Sequence, residues 1–191
     1  MNWFPTYNFI LASKSPRRQQ LLQALGIEFT VQTKEVEEVW PAGLAIEEVP
    51  VYLAELKADA FNAELGENDV VITADTVVCL GPEVLGKPES FDEACAMLHR
   101  LSGREHQVIT GVCLTSSKKR KSFYSVTNVE FKTLTAAEIE YYVTHFKPYD
   151  KAGAYGIQEW IGSIGIKHIE GSFYNVMGLP IQKLYEYIQS F

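Results

Sequence analysis

The sequence has few cysteines, no long apolar run and no excess of positive charge, and each absence excludes a class of protein. The three cysteines (Cys79, Cys95 and Cys113) are odd in number and far apart, which argues against a disulfide framework or a zinc site. They are typical of small core side chains in a reducing compartment, so we expect a cytoplasmic protein. No apolar run approaches the roughly 20 residues of a membrane span, and the N-terminus lacks the pattern of a secretory signal. With a net charge of −7, we expect no non-specific binding to nucleic acid, and without a long apolar run we expect no membrane partner.

Familiar signatures of nucleotide and metal sites are also missing. The chain has neither a G-x-x-x-x-G-K-[ST] loop nor a G-x-G-x-x-G fingerprint, which excludes ordinary P-loop and dinucleotide-binding sites. Its four histidines show no metal-ligand spacing, so we expect surface or capping roles for them. What remains is a chain of 191 residues with 47% apolar residues, long enough for a sizeable core. We predict a single domain over residues 1–191.

The N-terminal region carries the most unusual local pattern. An apolar run at 9–12 predicts a buried strand, and Ser15 predicts the N-cap of a helix that follows a polar turn. The first turn of that helix holds Arg17 and Arg18, although the helix dipole favours acidic residues there. One interpretation is an anion site, faced by both guanidinium groups, the backbone N–H groups and the Ser13 and Ser15 hydroxyls. The other interpretation is a pair of solvated arginines on a surface helix.

Two charged residues interrupt apolar patterns further along the chain. A helix predicted over 50–65 has Lys57 in the middle of its apolar face, where the side chain either snorkels to water or supplies a cation to a polar cleft. A strand predicted over 69–80 is almost continuously apolar, but Asp75 interrupts it. A buried carboxylate needs a partner or a metal. Asp75 therefore lies either at a strand end that opens into a cleft or beside a structural partner.

The other predicted elements alternate between strands and helices. Strands are predicted over 28–36, 106–115, 123–134 and 166–169. Capping boxes that begin at Ser90 and Thr135 predict two helices, and apolar periodicity predicts a third over 181–188. Four adjacent cations at 118–121 predict a solvated hairpin tip. The glycine-rich stretch 149–165 is predicted to be irregular, and it either brings backbone close to a ligand or connects two halves of the domain.

Cations and carboxylates both gather near the ends of these elements. The cations are Arg17, Arg18, Lys57 and Lys87, and the acids are Glu37, Glu38, Asp75 and Asp150. Carboxylate oxygens suit a hard divalent cation such as Mg²⁺ or Mn²⁺. Such a cation, together with basic side chains, neutralises the charge of a polyphosphate before water attacks it. From the residues alone, we predict a metal-assisted phosphoanhydride hydrolase or transferase.

Five segments, in the same order over nearly the whole chain, resemble the signature segments of the Maf family. They are LASKSPRRQQLL (11–22), ADTVVCL with GKP (74–80 and 86–88), RLSGREHQVITGV (100–112), DKAGAYGIQ (150–158) and NVMGLP (175–180). The resemblance implies an inosine-triphosphatase-like α/β fold, with a mixed twisted sheet, flanking helices and two lobes around a central cleft. It also implies hydrolysis of a nucleoside triphosphate to the monophosphate and pyrophosphate, with Mg²⁺ or Mn²⁺ as cofactor. The oligomeric state stays open, with a homodimer as one option.

The resemblance also implies roles for individual residues. Asp75 matches the proton acceptor of the family, and Glu38 resembles an acid that shares a metal with it. Positions tied to substrate choice are matched by Arg17, Thr76 and Gln158, and positions around the phosphates by Ser13, Arg18, Lys57 and Lys87. Whether Asp75 acts as the base, as a metal ligand or as both is left open by the sequence.

Segment 150–158 resembles the branch of the family that acts on dTTP and UTP. One departure from the family pattern is that Glu159 and Trp160 follow Gln158, where the family usually has glycine, and their bulk could reshape the base pocket. Other options remain open at this stage. They are a pyrophosphatase for 7-methyl-GTP or another nucleotide, a transferase with a second substrate, and a non-enzymatic regulator of cell division, a role also associated with the family.

Overall fold

The computed structural model describes residues 6–191, in which seven strands form one mixed sheet with flanking helices. The strands are β1 (Asn8–Leu11), β2 (Phe29–Val31), β3 (Asp69–Leu80), β4 (Glu83–Leu85), β5 (Glu105–Thr115), β6 (Arg120–Phe131) and β7 (Ile166–Glu170). The helices are α1 (Pro16–Ala24), α2 (Val49–Asp59), α3 (Phe91–Leu101), α4 (Ala136–Phe146), α5 (Trp160–Gly165), α6 (Phe173–Met177) and α7 (Ile181–Gln189), and a 3₁₀ turn covers Ala152–Ala154. The hydrogen-bonded order is β2-β1-β3-β5-β6-β7, and β4 pairs with β3 outside this path. The predicted mixed α/β class is confirmed. Across residues 6–191, the helices are too short or too polar to cross a membrane.

The chain divides into two compact units. The first unit contains the described residues up to Asp75, together with 110–125 and 178–191. The second unit contains residues 76–109 and 126–177. Strands β3, β5 and β6 therefore contribute residues to both units.

The first unit is built around parallel strands. Strand β1 pairs with β2 on one side and with β3 on the other, so that Phe9 lies opposite both Phe29 and Val70. Residues 70–74 of β3 are almost completely buried, as expected for a strand covered on both faces. The near-continuous apolar run in the sequence has this burial as its physical reason.

Helix α2 packs directly on this part of the sheet. Gly111 of β5 has no room for a side chain, because a Cβ atom there would lie 2.3 Å from backbone atoms of Pro50 and Val51 in the first turn of α2. The Thr73 hydroxyl on β3 donates a hydrogen bond of 2.7 Å to the Ala54 carbonyl in the middle of the helix. These two contacts determine where the last turn of α2 places its side chains.

The second unit combines antiparallel strand pairs with helices, among them α3 and α4. Strand β3 pairs with β4, and β6 pairs with β7, both in antiparallel orientation. Helices α3 and α4 contribute the completely buried side chains of Leu98 and Tyr142 to an apolar core. Burial of such side chains is the main source of stability for this unit.

The N-termini of α3 and α4 are capped largely as the sequence predicts. In α4, the Thr135 hydroxyl accepts a hydrogen bond from the Glu138 N–H, and the Glu138 carboxylate accepts one from the Thr135 N–H. In α3, the Ser90 hydroxyl accepts a hydrogen bond from the Glu93 N–H. The Glu93 carboxylate, however, accepts a hydrogen bond from the N–H of Glu89, so this box is shifted by one residue.

Several predicted boundaries in the first unit are wrong. The strand predicted over 28–36 covers only Phe29–Val31, because the residues after it are mostly polar and exposed. Helix α2 ends at Asp59, before a series of turns. The basic segment 118–121 is also not a simple solvated tip. Strand β6 begins at Arg120, whose guanidinium pairs with Asp59 at 2.5 Å.

The glycine-rich stretch 149–165 is more regular than its composition predicts. It contains the 3₁₀ turn and helix α5, and α6 follows as a further helix that the sequence did not predict. Gly162 lies inside α5, where a Cβ atom would lie 1.9 Å from the carbonyl oxygen of Ile157. A close backbone contact, rather than an irregular loop, therefore explains this glycine.

Candidate active site

Strand β3 places Asp75 in a buried position of the first unit. The residue is only 8% exposed, and the strand continues past it without a break to Leu80, so the predicted strand over 69–80 is confirmed and Asp75 interrupts only its apolar pattern. Its Oδ1 atom accepts a hydrogen bond of 2.5 Å from the ammonium group of Lys57. Asp75 therefore has a side-chain partner and lies within the strand rather than at its end, and its place in a cleft stays a prediction.

Lys57 reaches two carboxylates from the last turn of α2. Its Nζ atom lies 2.5 Å from Asp75 Oδ1 and 3.0 Å from Glu38 Oε1. Only 16% of the Lys57 side chain is exposed, compared with 47% of the Glu38 side chain. The ammonium group of Lys57 is therefore paired with two acids, and its supply of a cation to a polar cleft stays a prediction. We call Glu38, Lys57 and Asp75 the carboxylate–lysine cluster.

Arg18 connects helix α1 to the backbone next to this cluster. Its Nε atom donates a hydrogen bond of 2.8 Å to the Gly178 carbonyl, and its Nη1 atom donates one of 2.9 Å to the Ala74 carbonyl. Burial lowers the pKa of the Arg18 guanidinium, while the nearby Asp75 carboxylate raises it and Arg17 lowers it. An arginine pKa starts so far above neutrality that the group remains charged. Arg18 thus fixes the peptide next to Asp75, a structural contact that the sequence did not reveal.

The turn before α1 is held by Ser13. This residue is buried, and its hydroxyl accepts a hydrogen bond of 3.2 Å from the Ser15 N–H. Ser15 occupies the N-cap position, as predicted, but its hydroxyl makes no capping hydrogen bond. Arg17 lies half-buried on the first turn of α1, and that turn contains no acidic residue. The features behind the predicted anion site are therefore present, and the site itself stays a prediction.

The donor set of the carboxylate–lysine cluster fits a hard divalent cation. One oxygen of Glu38 and one of Asp75 already meet around a single positive charge, the ammonium of Lys57. Mg²⁺ is often held by one or two carboxylates together with substrate phosphates and water. Over residues 6–191, three or more histidine, cysteine, aspartate or glutamate side chains are nowhere grouped so as to hold a metal. The protein would therefore supply part of the coordination shell, and phosphates would supply another part.

The second unit holds the other predicted substrate residues, Thr76, Lys87 and Gln158. Thr76 is half-buried on β3, whereas Lys87 and Gln158 are exposed. A backbone hydrogen bond of 3.0 Å from the Gly153 N–H to the Gly86 carbonyl joins the turn that carries Lys87 to the glycine-rich loop that carries Gln158. The structure therefore links two of the three predicted positions through the main chain.

The two bulky residues that follow the exposed glutamine pack against neighbouring side chains. The Glu159 carboxylate accepts a hydrogen bond from the Tyr142 hydroxyl and lies 3.1 Å from the ammonium of Lys151. The Trp160 ring lies 4.8 Å from the ring of Tyr141, centroid to centroid. The sequence did not predict this network. The available signal was a pair of opposite charges within an otherwise apolar and glycine-rich segment.

His106 is a buried titratable group in the second unit, so the predicted surface or capping role is wrong for it. The residue is 2% exposed, and its Nε2 atom shares a hydrogen bond of 2.7 Å with the Tyr155 hydroxyl. Within residues 6–191, the Nδ1 atom has no hydrogen-bond partner. Burial lowers the pKa of His106 from 6.5 to about 4, so the imidazole is neutral at pH 7. Tyr155 belongs to the same loop as Gln158, so the hydrogen bond between His106 and Tyr155 helps to fix that loop.

Known proteins are similar to this sequence over nearly its whole length. A family model described as Maf-like protein matches residues 8–191. A protein of Bacteroides thetaiotaomicron named dTTP/UTP pyrophosphatase is 54% identical over 180 residues, which cover 94% of this chain and 93% of that relative. A protein of Flavobacterium psychrophilum with the same name is 48% identical over 185 residues, which cover 97% of this chain and 95% of the relative.

One solved structure resembles the chain over almost its whole length. The Ham1 protein of Staphylococcus aureus matches with a TM-score of 0.52 and covers 96% of this chain and 98% of its own. The sequence identity is 18%, so the likeness shows the fold alone. Together with the mixed sheet, it confirms the predicted fold class.

Proposed function

The chain belongs to the Maf-like protein family, and from that premise we propose that it hydrolyses dTTP and UTP to the nucleoside monophosphate and pyrophosphate. Relatives that are about half identical over nearly the whole chain carry the name of this activity. The single observation that carries the proposal is the buried Asp75 carboxylate, held by Lys57 next to Glu38. A carboxylate in such a position is suited to activate water beside a highly charged substrate.

The reaction is an in-line attack of water on the α-phosphorus, with pyrophosphate as the leaving group. Asp75 accepts the proton of the attacking water, and together with Glu38 it would hold a divalent cation, which when bound would supply a lower pKa of water. General-base help of this kind is worth about 10²- to 10⁴-fold in rate. The Lys57 ammonium fixes the orientation of the Asp75 carboxylate, and Arg18 fixes the adjoining Ala74 peptide. A base held in place by neighbouring groups needs no rearrangement at the moment of reaction.

The triphosphate is bound by positive charge. We assign Arg17, Lys57, Lys87 and the turn formed by Ser13 to the phosphates, with Arg18 acting mainly through the backbone that it holds. When a divalent cation is bound, it would be held by Glu38 and Asp75 and would supply further neutralisation of the phosphate charge. The cluster contains two carboxylates and the Lys57 ammonium group. The carboxylates suit a metal and the ammonium suits a phosphate, so the cluster suits a ligand that brings both.

The base is read by the side chain of Gln158, with Arg17 and Thr76 also assigned to substrate choice. Uracil and thymine both present O2, N3–H and O4, and an amide can donate to one carbonyl while it accepts from N3–H. Cytosine has an unprotonated N3, so the same orientation would leave polar groups unpaired. The exposed position of Gln158 is consistent with this role.

We propose a cytoplasmic setting, in which the enzyme removes unwanted nucleotides from the pool as a single-domain protein. Cys79, Cys95 and Cys113 are free thiols in the structure, and Cys79 and Cys113 are buried. Neither nucleic acid nor a membrane is part of the proposal, because the chain carries a net charge of −7. A homodimer is compatible with the proposal and is not needed for it.

A nucleotide panel tests the proposed function. The purified protein is incubated with Mg²⁺ or Mn²⁺ and each natural triphosphate, or 7-methyl-GTP, with no second substrate. We expect the highest kcat/KM for dTTP and UTP, lower values for CTP and the purines, and monophosphate plus pyrophosphate as products. Orthophosphate as a product would overturn the reaction, and a preference for GTP or 7-methyl-GTP would overturn the substrate assignment. Absence of turnover with nucleotide alone would instead support a transferase or a non-enzymatic role.

A further inference from the structure

The residue that follows Gln158 has its carboxylate turned into the second unit. Only 20% of the Glu159 side chain is exposed. Its Oε2 atom accepts a hydrogen bond from the Tyr142 hydroxyl, and its Oε1 atom lies 3.1 Å from Lys151 Nζ. Gln158 itself is exposed, so adjacent side chains of one short turn have opposite environments.

Lys151 needs this carboxylate more than its other partner. The lysine side chain is only 8% exposed, and burial of an ammonium group is unfavourable unless an opposite charge is near. Asp150 also contacts Lys151, at 2.7 Å, but its own side chain is 57% exposed and therefore well solvated. Glu159 is thus the buried partner, and the pair ties the two ends of the glycine-rich loop together.

Tyr142 anchors the same turn to helix α4. Its hydroxyl donates a hydrogen bond to Glu159 and accepts one of 3.0 Å from the Gly156 N–H. The residue is completely buried, so its ring position is fixed by the core. Burial and the neighbouring Glu159 raise the pKa of the Tyr142 hydroxyl, which therefore stays protonated and remains a donor.

The backbone of the turn is shaped around the Glu159 side chain. A Cβ atom on Gly156 would lie 2.8 Å from Glu159 Cδ and 3.1 Å from Lys151 Cε, so a side chain there would displace the Glu159 carboxylate. The Glu159 N–H donates a hydrogen bond of 3.0 Å to the Gly156 carbonyl and closes the turn over its own carboxylate. Gln158 lies inside this closed turn.

We propose that Glu159 is a positioning residue, which holds the turn through Lys151 and Tyr142 so that Gln158 presents its amide to the base in one orientation. The inference rests on the proposed function, because it concerns how the same site selects uracil and thymine. An amide discriminates between bases only when its carbonyl and NH₂ ends are held in defined places. In a loop with several glycines, that order has to be supplied by side-chain contacts, and the Glu159 network supplies them.

The test compares selectivity rather than activity. Glu159→Gln removes the charge but keeps the size of the side chain, and Tyr142→Phe deletes only the hydroxyl that bonds to Glu159 and Gly156. For each variant, kcat and KM are measured with dTTP, UTP and CTP. We expect the ratio of kcat/KM for dTTP over CTP to fall about tenfold, mainly through KM for dTTP, while kcat changes by no more than about threefold.

This ratio separates positioning from stability. A variant that is partly unfolded loses active enzyme, but both substrates lose the same fraction, so the dTTP over CTP ratio does not change. Glu130→Gln is the matched control, because it removes a glutamate of an exposed ion pair with Lys167 in the same unit. We expect its ratio to equal that of the parent protein.

The failure of the inference differs from the failure of the proposed function. If the parent protein does not convert dTTP and UTP to monophosphate and pyrophosphate, the proposed function falls and this inference falls with it. If the parent protein prefers dTTP and UTP, but both Glu159→Gln and Tyr142→Phe keep its dTTP over CTP ratio within about twofold, only the positioning role is overturned. An equal loss of selectivity in Glu130→Gln would also overturn it.

Discussion

The carboxylate–lysine cluster of the first unit and the glycine-rich loop of the second unit hold their charges in different ways. In the cluster, one ammonium is shared by two carboxylates, and Glu38 is still 47% exposed. In the loop, the ammonium of Lys151 is 8% exposed and has a largely buried partner in Glu159. A partly open cluster suits the proposed binding of a metal or a phosphate, whereas the more buried Lys151–Glu159 pair suits the proposed role of holding the backbone. This difference is consistent with a reacting carboxylate in the cluster and a positioning role for the buried pair in the loop.

The two regions are also assembled differently along the chain. The cluster joins side chains from the segment before α2, from α2 and from β3, and Arg18 adds a contact from α1. The loop is built mostly from residues 150–159, with one anchor from α4. The cluster therefore depends on the packing of whole elements, while the loop depends on local turns.

The largest expected effect is the loss of turnover when Asp75 is changed. Asp75→Asn keeps the size of the side chain and removes the proton acceptor, so kcat should fall by at least about 10²-fold. Asp69→Asn is the matched control on the same strand. Its carboxylate accepts hydrogen bonds from the Gly66 N–H and the Asn8 side chain, so we expect some loss of stability with kcat unchanged. Normal turnover by a folded Asp75→Asn protein would contradict the assignment of the reacting carboxylate to the first unit.

The next effect is acid sensitivity, which we assign to the second unit because all four histidines lie there. The folded pKa of His106 is about 4, below its unfolded value of 6.5, so the unfolded chain binds the proton more tightly. Stability therefore falls as the pH drops from 6.5 towards 4, by about 2 kcal/mol at pH 5. Urea unfolding at pH 7 and pH 5 measures this loss.

His106→Gln is the control for this acid sensitivity, because glutamine can bond to Tyr155 but does not titrate in this range. We expect the drop in stability between pH 7 and pH 5 to be about 2 kcal/mol smaller in the variant. An equal drop in both proteins would show that carboxylates elsewhere, rather than the histidine, cause the acid sensitivity.

The weakest effect that we expect is a change in melting temperature when pyrophosphate binds. Pyrophosphate should raise the melting temperature by a few degrees, because a ligand that binds only the folded protein stabilises it. Arg17→Ala should remove most of this shift. Lys14→Ala, which deletes an exposed cation of the same turn, should keep it. If the shift survives in Arg17→Ala but disappears in Lys87→Ala, the pyrophosphate group is bound mainly by the second unit.

Local features of the fold could be predicted from the sequence, and pairings between distant elements could not. The capping residues Ser90 and Thr135 act within one turn of their helices, so the starts of α3 and α4 were predicted correctly. The strand over 69–80 was also correct, because burial on both faces leaves a continuous apolar run. By contrast, the partner of Asp75 lies on another element, and sequence alone left that partner open.

The glycine-rich stretch shows why composition can mislead. Glycine was interpreted as a sign of irregular backbone, but Gly162 lies in a helix. Glycine occurs there because the Ile157 carbonyl leaves no space for a Cβ atom. The same physical property, close approach of backbone, occurs in helices and in loops. The sequence could not predict that the Glu159 side chain points inward, because this direction depends on Tyr142, seventeen positions earlier in the chain.

Most of the candidate residues were indicated by pattern, and their individual roles came from the family resemblance. Pattern pointed to the acids and cations of the predicted clusters and to Ser13, whereas the roles of Thr76 and Gln158 in substrate choice came only from the resemblance. The structure adds that Arg18 engages the Ala74 and Gly178 carbonyls, which shifts its proposed role from phosphate binding towards holding the backbone. Such a contact joins residues far apart in sequence and cannot be read from spacing.

An isotope experiment that locates the phosphorus attacked by water tests the proposed mechanism. The protein is allowed to hydrolyse dTTP in water labelled with ¹⁸O, and both products are analysed by mass spectrometry. Attack on the α-phosphorus predicts that the label enters the phosphate of dTMP and is absent from pyrophosphate. Label in pyrophosphate, with unlabelled dTMP, would mean attack on the β-phosphorus and would contradict the mechanism proposed for the Asp75 cluster.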